Sequence, residues 1–160
     1  KPSTEKRFYT IDLEKREVLY YTYVAHGKNT GNVQARHFSN TVGSLQSSIG
    51  FVVTAETYIG SKGYSLRLDG TEEEFNSKVR ERAVVIHGSN YVNEDFIARH
   101  GRLGRSWGCP ALPSHLNREI IDTIKEGTVV FTFFSDDNYF AQTDLIEENR
   151  AVETFLGFEA

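Results

Sequence analysis

The only cysteine of the chain, Cys109, lies in a glycine-rich segment that also contains the only tryptophan. This segment, residues 101–113, holds two of the three prolines and has three glycines within eight residues. A cysteine attacks as its thiolate, and an unperturbed thiol with a pKa of about 8.5 is only a few per cent ionised at neutral pH. Cys109 is therefore a candidate nucleophile if a base or a cation lies beside it. The structural alternative is a thiol buried in a loop, because free cysteine is among the most buried residue types.

His87 is the histidine whose position best suits the role of that base. It follows the uninterrupted apolar run 83–86, which is typical of a strand buried on both faces, and it precedes Gly88. The ring is therefore expected to emerge at a strand end, at the edge of the core. A strand-end histidine held by hydrogen bonds is the alternative, but Cys109, twenty-two residues further on, favours the base.

The turn at residues 104–109 predicts a site for a negatively charged oxygen. A tight turn that contains glycine can direct successive backbone N–H groups into one concavity. The N–H groups of Trp107, Gly108 and Cys109 are the candidates to hold the oxyanion of a tetrahedral intermediate. Removing one such donor typically costs about 2.7–4 kcal/mol in the transition state.

Two arginines close to the cysteine are candidates to bind a substrate carboxylate. The planar guanidinium groups of Arg102 and Arg105 fit a carboxylate geometrically. The alternative is that both side chains are simply solvated, since arginine is rarely buried without a partner.

The elements that position these residues are mostly strands. Residues 8–12 and 18–24 predict a hairpin, and residues 51–58 and 64–68 predict two further strands. Between them, residues 25–50 have no helical period and predict a long loop, which in compact domains is often functional. A last buried strand is predicted over residues 128–134.

The sequence predicts three helices, and the weak periodicity of a fourth segment is compatible with another. Thr71 and Glu74 have the spacing of a capping box, which predicts a helix from there to about Arg82. The other predictions are a helix over 94–99 between Asn93 and Gly101, an amphipathic helix capped by Ser114 and ended by Gly127, and a weakly periodic helix over 144–155. The amphipathic helix places Leu116, Ile120, Ile121 and Ile124 on one face.

Bulk properties exclude several classes of function. The 160 residues predict one domain, 1–160, with residues 136–160 as an extension packed on it. A formal net charge of −4 and a pI near 5.7 give no sign of nucleic-acid binding. No apolar run has the length of a transmembrane segment. No His-Glu-x-x-His or paired-cysteine pattern occurs, so no metal or other cofactor is predicted.

The pattern of Ile86–Gly88 followed by Ser106–Cys109 resembles the L,D-transpeptidase catalytic domain of the YkuD type. The common signature of that family is a histidine, a short gap, and then Ser/Thr-His-Gly-Cys. The chain is most similar to the divergent murein L,D-transpeptidase branch, through residues 23–29, 63–70 and 101–110, and the resemblance covers residues 26–134.

The resemblance implies a mainly β fold with a few short helices, arranged as a YkuD-like β-sandwich or barrel-like domain. It implies a bacterial enzyme in the periplasm or outside the cell, with its signal peptide removed, that acts on peptidoglycan stem peptides. Cys109 would attack the carbonyl of the third residue, meso-diaminopimelate, and release the terminal D-alanine. His87 would be the base, the carbonyl of Gly88 would orient it, and Ser106 would fix the turn. The resemblance names no protein partner.

The resemblance also makes His26 a candidate for the pocket wall, and Asn90, Tyr91 and Tyr58 are further candidates to line the pocket. Buried tyrosines commonly serve packing, and a histidine in a surface loop is an equally good interpretation of His26. The remaining histidines, His37, His100 and His115, are interpreted as structural or exposed.

The chain departs from the common pattern at the rim of the site. Trp107 replaces the usual histidine, and Pro110–Ala111 stands where the family has an arginine or asparagine. The acyl acceptor is therefore left open, and an L,D-carboxypeptidase that uses water is the nearest alternative. A non-catalytic cell-wall-binding module and another cysteine hydrolase, such as an amidase, are the others.

Overall fold

The computed structural model describes residues 1–146 and is mainly β, with three short helices in that range. The strands are β1 (Phe8–Asp12), β2 (Glu17–Thr22), β3 (Gly50–Gly60), β4 (Gly63–Gly70), β5 (Val85–Ser89), β6 (Ala111–Pro113) and β7 (Val129–Thr132). The helices are α1 (Glu94–His100), α2 (Asn117–Ile124) and α3 (Asp137–Gln142).

The strands form two sheets. β1 and β2 make an antiparallel hairpin, as predicted, and the other five strands form a sheet in the order β6-β5-β4-β3-β7. All pairs in the larger sheet are antiparallel except β5 and β6, which are parallel. Phe8 and Tyr20 of the hairpin pack on the main hydrophobic core. This two-sheet, mainly β architecture confirms the predicted β-sandwich fold class.

Helix α2 covers one face of the larger sheet. Its predicted apolar face is confirmed, because Ile120, Ile121 and Ile124 are buried against Leu66 and Ile86 of the sheet. The opposite face carries a second, smaller core near the end of β6, formed by Ala25, Val92, Leu103 and Ala111. Strand β5 therefore has a packed layer on both sides, as its uninterrupted apolar sequence predicts.

Strand β5 is longer than predicted, and this changes where the candidate base lies. His87 is inside the strand, where it pairs with Ser65 of β4 on one side and Ala111 of β6 on the other. The strand continues to Ser89 because its parallel pairing with β6 continues to Pro113. His87 is thus held by two neighbouring strands and not at a free strand end.

The predicted helix that begins at Thr71 is wrong, because residues 71–84 form a series of turns. The side-chain oxygen of Asn76 accepts hydrogen bonds from the backbone N–H groups of Thr71 and Glu72, at 2.8 and 3.0 Å. The carboxylate of Glu72 accepts the N–H of Phe51 at 2.7 Å. These bonds from side chains to the backbone replace helical ones, which explains why the capping-box signal misleads here.

The capping residues predicted from the sequence are confirmed for α1, whereas the predicted N-terminal cap of α2 is not formed. The side chain of Asn93 caps α1, and Gly101 ends it with a φ of 69°, both as predicted. Helix α2 begins at Asn117 with no side-chain cap, because the Ser114 hydroxyl donates instead to the side chain of Asn90.

The C-terminal part of the chain differs from the prediction in two ways. Strand β7 is the edge of its sheet and is not buried, with Val129 61% and Phe131 37% exposed. Helix α3, which the sequence does not predict, packs through Tyr139 against Phe75. Of the weakly predicted helix 144–155, residues 144–146 are not helical and the rest lies outside the described residues.

Candidate active site

Cys109 lies in the bend that leads into β6, beside the start of β5. Ala111, two residues after Cys109, is the partner of His87 in the parallel pair of β5 and β6. The sulfur of Cys109 accepts the backbone N–H of Val85 at 3.4 Å, which fixes the residue at the level of that position of β5. The structure therefore brings the turn that carries Cys109 alongside the strand that carries His87.

The ring of His87 is buried and is held by the next residue. Its Nδ1 lies 2.9 Å from the carbonyl oxygen of Gly88, which can only accept, so Nδ1 carries the proton and Nε2 is the basic nitrogen. Burial lowers the pKa of His87, the hydrogen bond to Gly88 opposes this, and the positive charge of Lys62 adds to the lowering. The imidazole is therefore neutral at neutral pH and able to accept a proton at Nε2.

The thiol of Cys109 is partly buried and contacts backbone groups at the start of β5. Besides accepting from Val85, it donates to the carbonyl of Ala83 at 3.7 Å. Burial raises the pKa of Cys109, while the Val85 amide and the charge of Arg82 act against the rise. Within residues 1–146 no hydrogen bond joins the sulfur to the His87 ring. The resting pair is thus a protonated thiol and a neutral imidazole.

The hydroxyl of Ser106 closes the turn that carries the cysteine. It donates to the carbonyl of Cys109 at 2.6 Å and accepts the N–H of Gly108 at 3.1 Å. Gly108 has a φ of 133°, a conformation that favours glycine. Because its N–H is used inside the turn, Gly108 is not the free oxyanion donor that the sequence predicts. The N–H groups of Trp107 and Cys109 remain as the candidates.

The long loop 25–49 supports this turn from the other side. The hydroxyl of Ser47 donates to the carbonyl of Gly108 at 2.9 Å and accepts the N–H of Gly27 at 3.0 Å. A Cβ atom on Gly27 would lie 2.6 Å from the Leu45 carbonyl oxygen and 2.9 Å from the Gly108 Cα atom. The close packing of loop and turn therefore requires glycine at position 27.

Arg82 is a contributor to the site that sequence reasoning missed. Its guanidinium donates to the Ser39 and Gln46 carbonyls and to the Ser44 and Ser48 hydroxyls, so it holds the loop in place. The only sequence signal is a charged residue directly before a buried strand. Its partners are 34 to 43 residues away in the chain and are invisible to local patterns.

Tyr91 is the one predicted pocket residue whose electrostatic environment includes the thiol. Burial raises the pKa of Tyr91, a hydrogen bond with Ser89 lowers it, and negative charge on Cys109 raises it further. The ring lies so close to Gly104 that a Cβ atom there would be 2.3 Å from the Tyr91 Cγ atom. This placement agrees with a role in lining the site.

Arg102 and Arg105, the predicted carboxylate-binding residues, each bond through one guanidinium nitrogen to backbone carbonyls. Arg102 donates to the carbonyl of Leu103 at 2.7 Å, and Arg105 donates to the carbonyls of Lys28 and Gly31 at 3.1 and 3.3 Å. Their charges act on His26, and neither is among the groups that shift the pKa of Cys109. Arg105 thus joins the cysteine segment to the long loop, and Arg102 bonds to the backbone of the residue beside it, while carboxylate binding by either arginine stays a prediction.

His26 is a buried structural histidine and not a pocket-wall residue. Arg7 Nη2 donates to its Nδ1 at 2.7 Å, so its Nε2 carries the proton and donates to the Gly31 carbonyl at 3.2 Å. Burial and the charge of Arg7 lower the pKa of His26 to about 4. Both ring nitrogens are used, which leaves neither for a ligand.

The buried His26 predicts a loss of stability in mild acid. The unfolded chain takes up a proton at this residue near pH 6.5, whereas the folded protein does so only near pH 4. The free energy of unfolding should therefore fall as the pH drops from 6.5 to 4, by about 3 kcal/mol from this group. Urea denaturation at a series of pH values measures it. His26→Gln should remove this component, and an equal pH slope in both proteins would contradict the assignment.

The other predicted site residues, Tyr58, Asn90 and Trp107, differ in their surroundings. Tyr58 pairs with Ser65, which pairs with His87, so Tyr58 is in the same row of the sheet, with the guanidinium of Arg67 4.4 Å from its ring centre. The side chain of Asn90 accepts the Ser114 hydroxyl and is occupied there. Trp107 is 77% exposed, which places the family's usual histidine position at the rim.

Residues 1–146 contain neither a metal-binding cluster nor a membrane-spanning helix. Between residues 1 and 146, no three His, Cys, Asp or Glu side chains are grouped so as to hold a metal ion. No helix in that range is long and apolar enough to cross a membrane.

Comparison with known proteins adds one positive finding. The family model for the L,D-transpeptidase catalytic domain matches residues 1–133. Curated proteins and solved structures give no match. The family match spans every residue that forms the candidate site, from the supporting loop to the cysteine turn. The chain belongs to the L,D-transpeptidase catalytic domain family.

Proposed function

We propose that this protein is a cysteine acyltransferase that acts on the stem peptides of bacterial peptidoglycan, with Cys109 as nucleophile and His87 as base. The observation that carries the proposal is the pairing of β5 with β6. It supports the proposal because the segment that carries Cys109 leads into β6, directly alongside the strand that carries His87, whose proton is held on Nδ1 by Gly88. The family supports the class of substrate.

The first half of the reaction forms a thioester. Nε2 of His87 takes the thiol proton as the sulfur of Cys109 attacks the carbonyl carbon of meso-diaminopimelate in a tetrapeptide. A carbon–sulfur bond forms, and the carbonyl electron pair moves to oxygen. When that oxyanion collapses, the carbon–nitrogen bond breaks, and the imidazolium of His87 returns the proton to the nitrogen of the departing D-alanine.

The second half consumes the thioester. An amine from a neighbouring stem attacks the same carbonyl and loses a proton to His87, and the sulfur of Cys109 leaves and is reprotonated. The product is a cross-link between the third residue of one stem and the acceptor amine. Water in place of the amine would give a tripeptide.

The resting thiol bond to Ala83 has a consequence for the first step. The sulfur must turn from the Ala83 carbonyl toward the His87 ring before the proton moves, a rotation about the Cα–Cβ bond of Cys109. Because thiol and imidazole are both neutral at rest, the charge pair forms only during attack. The N–H groups of Trp107 and Cys109 are then the available donors for the oxyanion.

Product analysis of a disaccharide tetrapeptide tests the proposal. Mass spectrometry should detect free D-alanine together with dimers joined through the third residue. Tripeptide alone would replace transpeptidation by L,D-carboxypeptidation. Absence of both products, with binding to sacculi retained, would overturn the proposal in favour of a non-catalytic module. Cleavage at a different bond would favour another hydrolase.

The same proposal places the protein in the periplasm or outside the cell, because its substrate lies there. Fractionation of the source bacterium, with detection by antibody, should find the protein in the envelope or secreted fraction. Confinement to the cytosolic fraction would contradict this localisation.

A further inference from the structure

The proposed base depends on the Gly88 carbonyl, which holds the proton of His87 on Nδ1 at 2.9 Å. Gly88 is inside β5, between β4 and β6, where a carbonyl normally accepts a hydrogen bond from a neighbouring strand. The N–H of His87 donates to the Pro110 carbonyl at 3.4 Å, on the β6 side. Because backbone groups alternate along a strand, the Gly88 carbonyl lies on the β4 side, and the contacts there decide whether it is free for the imidazole.

The pairing of β4 with β5 ends one residue before Gly88. Ser65 and His87 are the last pair, and Tyr64 and Gly88, which would come next, are not paired. Both strands nevertheless continue past this point, so the break is not caused by the end of either strand. It leaves the Gly88 carbonyl without a partner in β4, and this carbonyl accepts the proton of the neighbouring ring instead.

The side chain of Asn117 occupies the place where the pairing ends. Its Nδ2 donates to the Tyr64 carbonyl at 2.8 Å. A Cβ atom on Gly88 would lie 3.0 Å from the Asn117 Cβ atom and 3.3 Å from its Nδ2. Asn117 is the first residue of α2 and is only 7% exposed. The carboxamide thus joins the end of β4 to the backbone of Gly88 from the side of the helix.

The same carboxamide contains a polar atom that does not contribute to stability. Among residues 1–146, the buried Oδ1 of Asn117 has no hydrogen-bond partner, and an unpaired buried acceptor destabilises a fold. The other buried side chains of α2 are Ile120, Ile121 and Ile124, which pack in the main core. An aliphatic side chain at position 117 would avoid this cost. The contact of Nδ2 with the Tyr64 carbonyl therefore points to a role other than stability.

We propose that Asn117 is a positioning residue for the base, because it occupies the Tyr64 carbonyl where the pairing ends and leaves the Gly88 carbonyl to the imidazole. The inference rests on the proposed function, in which Nε2 of His87 takes the thiol proton. While the Gly88 carbonyl holds the proton on Nδ1, Nε2 keeps a free lone pair. Without Asn117, the pairing can extend to Tyr64 and Gly88. The carbonyl then accepts the Tyr64 N–H, and the ring proton is free to move to Nε2.

NMR of the ring nitrogens in isotope-labelled protein tests the proposal directly. The signals of His87 are those absent from the spectrum of His87→Gln. At a pH where the ring is neutral, the wild type should have a protonated Nδ1 and a bare Nε2. In Asn117→Ala, and in the milder Asn117→Ser, the tautomer with the proton on Nε2 should appear. A folded Asn117 variant that keeps only the Nδ1 tautomer would overturn the proposal. So would a wild type with the proton on Nε2, whatever the variants do.

Kinetics of D-alanine release give the second measurement. In Asn117→Ala, kcat should fall about ten- to a hundredfold, because the base has its lone pair in the right place for only part of the time. KM should change little, because the buried Asn117 does not contact the substrate. Ile121→Val, on the same helix, is the matched control. It should lower the midpoint of urea unfolding and leave both kcat and the tautomer unchanged.

The outcomes separate this inference from the proposed function. If Asn117→Ala loses stability but keeps the wild-type kcat and tautomer, Asn117 is only structural and the inference is wrong. If the wild type itself releases no D-alanine, the proposed function fails. The NMR measurement then still decides whether Asn117 controls the proton of the His87 ring.

Discussion

Cys109→Ala is expected to lower the release of D-alanine from a disaccharide tetrapeptide by at least about a thousandfold, since no other group can form the thioester. The chain has a single cysteine, so no second thiol can substitute. The measurement is a time course of D-alanine release followed by mass spectrometry. In the wild type, the same experiment after treatment with iodoacetamide should give one adduct and a parallel loss of activity.

The control for this prediction is that the variant must still fold. Cys109 contributes its carbonyl to Ser106 and its sulfur to Val85, and alanine keeps the first of these contacts. The circular dichroism spectrum and the midpoint of urea unfolding of Cys109→Ala should therefore stay close to those of the wild type. Release of D-alanine at the wild-type rate by a folded Cys109→Ala protein would refute the thiol mechanism.

His87→Gln is expected to lower kcat/KM by about 10²–10⁴-fold, the usual contribution of a general base. Glutamine retains a polar side chain but has no nitrogen that accepts a proton from the thiol at neutral pH. His115→Gln, at an exposed histidine, is the matched control and should behave like the wild type. Steady-state kinetics on the tetrapeptide measure both.

The pH profile gives this prediction its sharpest form. Burial lowers the pKa of His87 below its usual 6.5 and raises the pKa of Cys109 above its usual range. Activity should therefore rise as the pH passes through a value below 6.5, because His87 becomes neutral, and then remain high well into the alkaline range. Alkylation of Cys109 in His87→Gln should still titrate only at alkaline pH. A wild-type thiol that reacts as a thiolate at pH 5 would contradict the neutral resting pair.

Sequence patterns within short stretches of the chain correctly predicted several of the elements around the site. The hairpin of β1 and β2 and the caps of α1 depend on residues that are near in sequence, and the structure contains them. The buried strand that carries His87 is equally visible, because four consecutive apolar residues at 83–86 precede it. Fold class and the identity of the two central residues could therefore be proposed from the sequence.

Local sequence patterns gave wrong predictions where a side chain bonds to a residue far away in the sequence. Asn76 bonds to the backbone at Thr71 and Glu72 and also donates to the Ile49 carbonyl at 3.0 Å, and this arrangement turns a helical pattern into a set of turns. His26 resembled a loop residue because nothing near it in sequence reveals the contact with Arg7. Whether a polar group is buried depends on which segments of the chain pack against each other. The hydrophobic periodicity of a single segment carries no information on that packing.

The cations near the thiol show the same limit of prediction from local sequence. Arg102 and Arg105 lie in the same short segment as Cys109, and this closeness in sequence is the argument for them. The cations whose charges act on the thiol, Arg82 and Lys62, come from two other parts of the chain. Arg82 bonds to the long loop, and Lys62 is at the tip of the hairpin that joins β3 to β4. Proximity to a nucleophile along the chain is therefore a poor guide to proximity in space.

The bridge made by Ser47 between Gly27 and Gly108 has a consequence for the order in which the protein matures. It joins segments 61 residues apart, and Arg82 adds contacts across 34 to 43 residues. Closing loops of this length costs entropy that no single hydrogen bond offsets, so we expect these contacts to be stable only when the rest of the fold holds both segments in place. The shape of the cysteine turn is thus completed only when the chain is nearly native. A partly folded or truncated molecule therefore contains the thiol but lacks the completed active site. We expect such a molecule not to form a thioester with the peptides around it.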